Sequence, residues 1–342
     1  MESTLKKENL WLLNVLRGIS ALLIVLYHYT VQYEKSIGHL LPYAVTIPWG
    51  CYAVNTFFML SGFLTVYTCA GGGRRSAVSF LKRRFLRLYP MFWVSMTVTT
   101  VYMLALMPER VRSVKDFILN LTMIPSFFGA EAVDGVYWTL AKELMFYFGF
   151  SVVILRGSVQ KNTIWLWTWL GLEIVCLVYT GSQHHLPLSG AISAILIPDQ
   201  LYAFLAGCAV FYLNKAKNRK EKGIILSYML ICVCLCFWMR SWKVAVFFAL
   251  SLWLLVICSR GEINKKLENV KWVFQPALFL SEISYVLYLT HQFIGFGLIR
   301  KMESHGMVGE MWVIFPIVHS IVLAAVLHYG LEIRINRRLR KA

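Results

Sequence analysis

Charge is scarce in this 342-residue chain: Asp, Glu, Lys and Arg make up 15% of it, against about 25% in soluble domains. With 58% hydrophobic residues and a mean hydropathy of +0.61, that shortage excludes a water-soluble fold. Negative charge is the scarcer sign, with 17 acidic residues against 34 Lys and Arg. Metal-site spacing is missing too. The eight cysteines include no CxxC pair. Cys232, Cys234 and Cys236 alternate in one apolar run, where residues two apart face different directions and cannot converge on one ion. No metal is implied, and packing is the reading for most of the thiols. Gly71, Gly72 and Gly73 lack the Lys-Ser/Thr ending of a phosphate loop and read as a flexible loop. There is no internal repeat and no low-complexity tract. No small-residue cleavage site follows the apolar segment from Lys6 to Tyr29, which Arg17 and His28 interrupt, so it reads as a retained first helix.

What is present comes in long apolar blocks. A span needs roughly 20 mostly apolar residues to cross about 30 Å of hydrocarbon, with its backbone bonded internally as helix. Blocks of that kind lie at about 10–33, 48–70, 88–107, 138–156, 163–181, 191–213, 224–239, 242–259, 279–299 and 311–330. The piece from Phe117 to Phe128 is short and broken by Pro125; it reads as re-entrant or surface helix and leaves nine or eleven as alternative counts. The fold class is therefore all-α: a polytopic membrane protein of about ten transmembrane helices. It forms a single membrane-embedded domain over 1–342, with its core at about 10–330 and a short basic tail at 333–342.

The net charge of +17 invites a nucleic-acid partner, but its distribution argues against one. Alternate loops hold 24 of the 34 Lys and Arg on one side and 8 on the other, leaving Arg17 and Lys142 inside spans. That asymmetry is the positive-inside pattern; it places both termini in the cytoplasm and makes the partner a lipid bilayer, in a cell (inner or plasma) membrane.

Ionisable groups at membrane depth cost something like 2.5–3.5 kcal/mol each on insertion scales, and those that persist face cavities or do chemistry. Five stand out: Arg17, His28, Glu143, Glu173 and His291. Arg17 and His28 are eleven residues apart, which on a helix returns to within roughly 20° of the same face, about 16 Å along it. Snorkelling of Arg17 and a packing role for His28 account for these two equally well when they are taken alone. Glu143 lies at a depth matching that of His28, so the two could meet as an acid-supported imidazole base for activating a hydroxyl. His291 falls a little deeper, after a polar stripe of Ser284, Tyr285 and Tyr288; an interhelical hydrogen bond and a direct role fit it equally. Arg84 and Arg87 are three apart before Tyr89 and Pro90, and would share a face suited to a phosphorylated ligand if the third helix begins there. A topogenic basic loop is the plainer reading. Glu173 is mid-span and carries no assigned chemistry.

Five motifs then line up. They are Asn14-Val15-Leu16-Arg17-Gly18 with His28; Phe57-Phe58-Met59-Leu60-Ser61-Gly62-Phe63; and Arg84-Phe85-Leu86-Arg87-Leu88-Tyr89-Pro90. Trp138-Thr139-Leu140 with Glu143 and Phe146-Tyr147 follows, and then Ser284-Tyr285 with Tyr288-Leu289 and His291. In this order, from residue 14 to about 330, the chain resembles acyltransferase family 3. The resemblance implies a ten- or eleven-helix bundle that takes an acyl group, most often acetyl, from cytoplasmic acyl-CoA to a carbohydrate hydroxyl. The acceptor would be a cell-surface polysaccharide or its precursor, or a small molecule. It implies acyl-CoA as co-substrate with no permanently bound cofactor. By the same resemblance Arg17, His28 and Glu143 carry catalysis and Arg84 and Arg87 hold acyl-CoA. Substrate or oxyanion contacts fall to Asn55, Ser61, Trp138, Tyr285 and His291, with nothing in the sequence choosing among them. Thr139 stands where Ser is common, which keeps a hydroxyl. Lys142 beside Glu143 is unusual for the family. No extracytoplasmic domain of the SGNH type follows the last span, so transfer is expected to finish in the membrane domain. Rival readings are a transporter or flippase for a glycan or acylated substrate, and a non-catalytic membrane partner that has kept the scaffold.

Overall fold

A computed structural model describes residues 10–70, 77–157, 159, 163–180 and 200–341. Among them every regular element is a helix. The principal ones are α1 (Trp11–Tyr27), α2 (Ala53–Ala70), α3 (Ala77–Leu106), the short α4 (Val114–Asn120), α5 (Trp138–Leu155) and α6 (Ile164–Thr180). They continue as α7 (Leu201–Lys215), α8 (Arg219–Met239), α9 (Trp242–Cys258), α10 (Gln275–Ser304), α11 (Ile314–Leu327) and α12 (Ile333–Lys341). Among the described residues seven helical stretches are long and apolar enough to cross a membrane, and α6, α7 and α9 add three shorter apolar helices. The protein is an all-α, multi-pass membrane protein.

One boundary differs from the sequence reading. Helix α3 starts at Ala77 and carries Lys82, Arg83, Arg84 and Arg87 inside it, with Pro90 within the helix rather than at its start. Hydropathy stops at charge, yet Lys and Arg are good helix formers, so the helix runs on past the apolar block. The expected span at 191–213 begins, as far as the structure describes it, at Leu201; residues 191–199 and the glycine run at 71–73 lie outside the described residues. The piece around Phe117 is α4, seven residues or about 10 Å long, too short to cross. Ser113 caps it by accepting from Asp116 N at 3.1 Å.

The chain divides into two compact units. The first comprises Met1–Arg17, Val54–Lys82 and Lys142–Leu278. Its core is α7, buried from Leu201 to Phe211. Close approach to α2 requires two glycines: a Cβ on Gly62 would run into the carbonyl of Phe204, and one on Gly207 into that of Met59. Small residues at such crossings let backbones approach within a membrane, where apolar burial alone does not drive helices together. The free N–H of Leu12 at the start of α1 donates to Asn264 Oδ1 at 2.9 Å, and the Trp11 indole donates to Asn264 O at 3.0 Å. Glu173, unexplained in the sequence, accepts from Tyr202 N at 3.2 Å and so caps the first turn of α7.

The second unit comprises Gly18–Ala53, Arg83–Ala141 and Phe279–Ala342. The segment after α4 is tied to α3, with Tyr89 OH donating to Thr122 O at 2.8 Å and the Trp93 indole to Leu121 O at 3.0 Å. Asn120 is fully buried and holds the returning strand of chain, donating to Glu131 O at 2.8 Å and accepting from Val133 N at 3.0 Å. That segment delivers Asp134, which caps the turn leading into α5 by accepting from Val136 N.

Candidate active site: an imidazole pair on two helices

His28 opens a π turn, His28–Gln32, that continues α1. Such wide turns within helices re-aim side chains and are frequent at functional sites. Its Nδ1 lies 2.8 Å from Ile24 O. A carbonyl only accepts, so Nδ1 carries the hydrogen. On α10, His291 Nδ1 lies 3.0 Å from both Leu287 O and Tyr288 O, which puts the hydrogen of that ring on Nδ1 as well. The Nε2 of neutral His291 is then a bare lone pair, and it sits 3.1 Å from His28 Nδ1. The rings meet edge to face, 4.8 Å between centroids at 74°. His28 Nδ1–H is therefore shared between Ile24 O and His291 Nε2, and His28 Nε2 is left as a lone pair with no bonded partner among the described residues. His291 is fully buried, whereas His28 is half-buried. Such a ring accepts a proton at Nε2, and the cation formed keeps two acceptors on its other nitrogen.

Within the second unit the bonded partner of His28 is His291. Within the first unit Glu143, expected beside His28, accepts through Oε1 from Ser61 Oγ at 2.6 Å and from Tyr147 OH at 2.5 Å. Matched depth fixes the height of a group along its helix but not the neighbour it faces. Tyr147 is four residues on from Glu143, on the same helix face.

The other expected residues fall as follows. Arg84 is half-buried and Arg87 exposed on α3, three apart in one continuous helix, so they are neighbours on its surface. Arg17 is half-buried on α1, Asn55 is buried on α2, and Trp138 is exposed at the start of α5. The Tyr285 hydroxyl, expected as an oxyanion donor, donates to Leu88 O at 2.7 Å. Thr139 keeps the hydroxyl expected at its position; its Oγ1 donates to Val136 O at 2.9 Å and lies 2.7 Å from Tyr288 OH.

Asp134 was missed by the sequence reading. It is fully buried just before the span that contains α5, and its Oδ2 accepts from Phe293 N at 3.1 Å. Burial pushes its carboxyl up from 3.8 to about 7, although the backbone N–H groups of Phe293, Val136 and Gly135 pull the other way. The signal was there: an Asp-Gly pair directly before an apolar helical run marks a helix N-terminus.

Polar side chains held inside apolar helices are costly there, and those that persist commonly mark functional sites. A family model described as an acyltransferase domain, acyltransferase 3, matches residues 10–330, and the chain belongs to that family. It is 22% identical over 237 residues to the acyltransferase MdmB of Streptomyces mycarofaciens, covering 63% of this chain and 60% of that one. It is 26% identical over 149 residues to nodulation protein 10 of Rhizobium leguminosarum bv. viciae, covering 38% of each. The chain thus spans less than two thirds of either curated relative. No solved structure matches it.

Proposed function

We propose that this protein is an integral-membrane O-acyltransferase that moves an acyl group, acetyl most often in the family, from cytoplasmic acyl-CoA to a hydroxyl of a carbohydrate. The observation that carries the reading is the His28 ring, with Nδ1–H committed to Ile24 O and His291 Nε2 and its Nε2 lone pair uncommitted. His28 Nε2 takes the proton of the acceptor hydroxyl as that oxygen attacks the thioester carbonyl carbon. The tetrahedral intermediate collapses with cleavage of the C–S bond, and the proton on Nε2 passes to the departing CoA thiolate. Products are the O-acyl ester and free CoA, with no net change at His28.

Arg84 and Arg87 take the CoA phosphates, where guanidinium groups give charge-assisted and bidentate contacts. Glu143 assists through the two hydroxyls that donate to it, those of Ser61 and Tyr147. The protein sits in the cell membrane with both termini cytoplasmic, and its acceptor is a surface polysaccharide or the lipid-linked precursor of one.

The test is release of free CoA thiol by purified protein given acetyl-CoA and a panel of glycan acceptors. Acceptor-dependent thiol release, with the acceptor gaining an ester mass, is the expected result. A transporter or flippase would carry glycan and release no thiol, and that outcome would end the reading.

A further inference from the structure

The turn of α10 that carries His291 is held from outside at three points, all within the second unit. Tyr29 OH donates to His291 O at 2.7 Å and lies 2.7 Å from Ser320 Oγ. Tyr137 OH donates to Leu289 O at 3.2 Å, and Phe293 N donates to Asp134 Oδ2 at 3.1 Å. Leu289 O and Phe293 N are the two ends of one ordinary i to i+4 helical bond. Both ends of that rung therefore take a second partner from the segment 134–137. Tyr29, Asp134 and Tyr137 are all buried, so their polar atoms have been withdrawn from water to make these contacts. A helix interior satisfies its own backbone and does not need such bonds to exist.

Tyr29 also follows His28 directly in the π turn. The backbone that aims the His28 ring thus carries the hydroxyl that holds the His291 backbone. Gly295 lies against the Tyr29 ring, where any Cβ would collide with the phenol, and so leaves it room to reach His291 O. The 3.1 Å between His291 Nε2 and His28 Nδ1 is near the long end for a hydrogen bond, so a shift of a few tenths of an ångström along α10 would lose it.

We propose that Tyr29, backed by Tyr137 and Asp134, is a positioning residue: it fixes the α10 backbone so that His291 Nε2 meets His28 Nδ1–H and His28 Nε2 is aimed at the acceptor. The proposal rests on the reading of His28 as the base. Tyr29 itself touches no reacting atom, so its removal acts on the chemical step and leaves acyl-CoA binding alone.

The experiment compares purified Tyr29→Phe, Tyr137→Phe, the double variant and Ser320→Ala, each with its melting temperature. Misplacement of a catalytic group by a fraction of an ångström is expected to lower kcat about tenfold in each Phe variant and about a hundredfold in the double, with KM for acyl-CoA held within about twofold. Ser320→Ala keeps the donor to His291 O and is expected to retain wild-type kcat, whereas a purely structural role for the Tyr29–Ser320 contact would make it as harmful as Tyr29→Phe. Wild-type kcat in both Phe variants overturns the proposal. With His28→Asn inactive at the same time, the base assignment stands and only the positioning role falls. An active His28→Asn overturns the base assignment and the positioning role with it.

Discussion

Replacing His291 by leucine removes one of the two acceptors on His28 Nδ1–H and leaves the other, Ile24 O at 2.8 Å. The neutral His28 ring loses little, because one acceptor satisfies one N–H. The loss falls on the protonated ring formed as the acceptor hydroxyl is activated, whose Nδ1–H bond is charge-assisted. Hydrogen bonds to charged groups are worth about 1.5–3 kcal/mol, and each 1.36 kcal/mol off the barrier is tenfold in rate. His291→Leu should therefore lower kcat by about ten- to a hundredfold. His291→Gln, which offers an amide oxygen to the same N–H, should recover part of that. Leucine is close in volume and apolar, so the fully buried site tolerates it and the helical spectrum should be unchanged. The assay is thiol release under saturating acyl-CoA and acceptor, with a single-turnover measurement to isolate transfer from product release. Wild-type kcat in His291→Leu, or equal damage in His291→Gln, would refute the assignment of His291 as the acceptor that steadies the protonated base.

Three further outcomes follow from other parts of the molecule. The raised carboxyl of Asp134 makes stability fall with pH. Its folded value of about 7 lies about three pH units above the ordinary 3.8, so the penalty for ionising it is absent below about pH 4 and complete above about pH 7, amounting to about 4 kcal/mol. The melting temperature of the detergent-solubilised protein should drop between about pH 4 and 7, and Asp134→Asn should flatten that drop; parallel curves would count against it. Gly207→Val drives a side chain into the Met59 carbonyl, which cannot move aside, and should cost about 1–3 kcal/mol or more, seen as lost monodisperse yield; an unchanged melting curve would show that α2 and α7 are not packed this way. If Arg84 and Arg87 hold the CoA phosphates as proposed, Arg84→Gln and Arg87→Gln should each raise KM for acyl-CoA about tenfold with kcat little altered, by loss of a charge-assisted contact; unchanged KM in both would move the CoA site elsewhere.

Much of this was legible in the sequence because the membrane imposes it. Apolar blocks marked the helical spans, and the rarity of charge within them brought His28 and His291 forward as separate candidates. Their partnership was not legible, since rotation of α1 against α10 follows from packing that no single helix encodes. Glu143 illustrates the gap: the sequence could set its height along α5 but not that its carboxylate faces Ser61 and Tyr147. Extension of α3 back to Ala77 was hidden by the basic residues that end the apolar run. Asp134 was passed over because it precedes the span, outside the stretch where charge is conspicuous.

The most direct test of the account is His28→Asn. An asparagine amide reproduces a donor near Nδ1, able to reach Ile24 O and His291 Nε2, but has no nitrogen lone pair where Nε2 stood. The account predicts that thiol release falls by about a hundred- to ten-thousandfold, the range of a lost general base, while acyl-CoA binding persists. Acceptor-dependent transfer at the wild-type rate in that variant would contradict it.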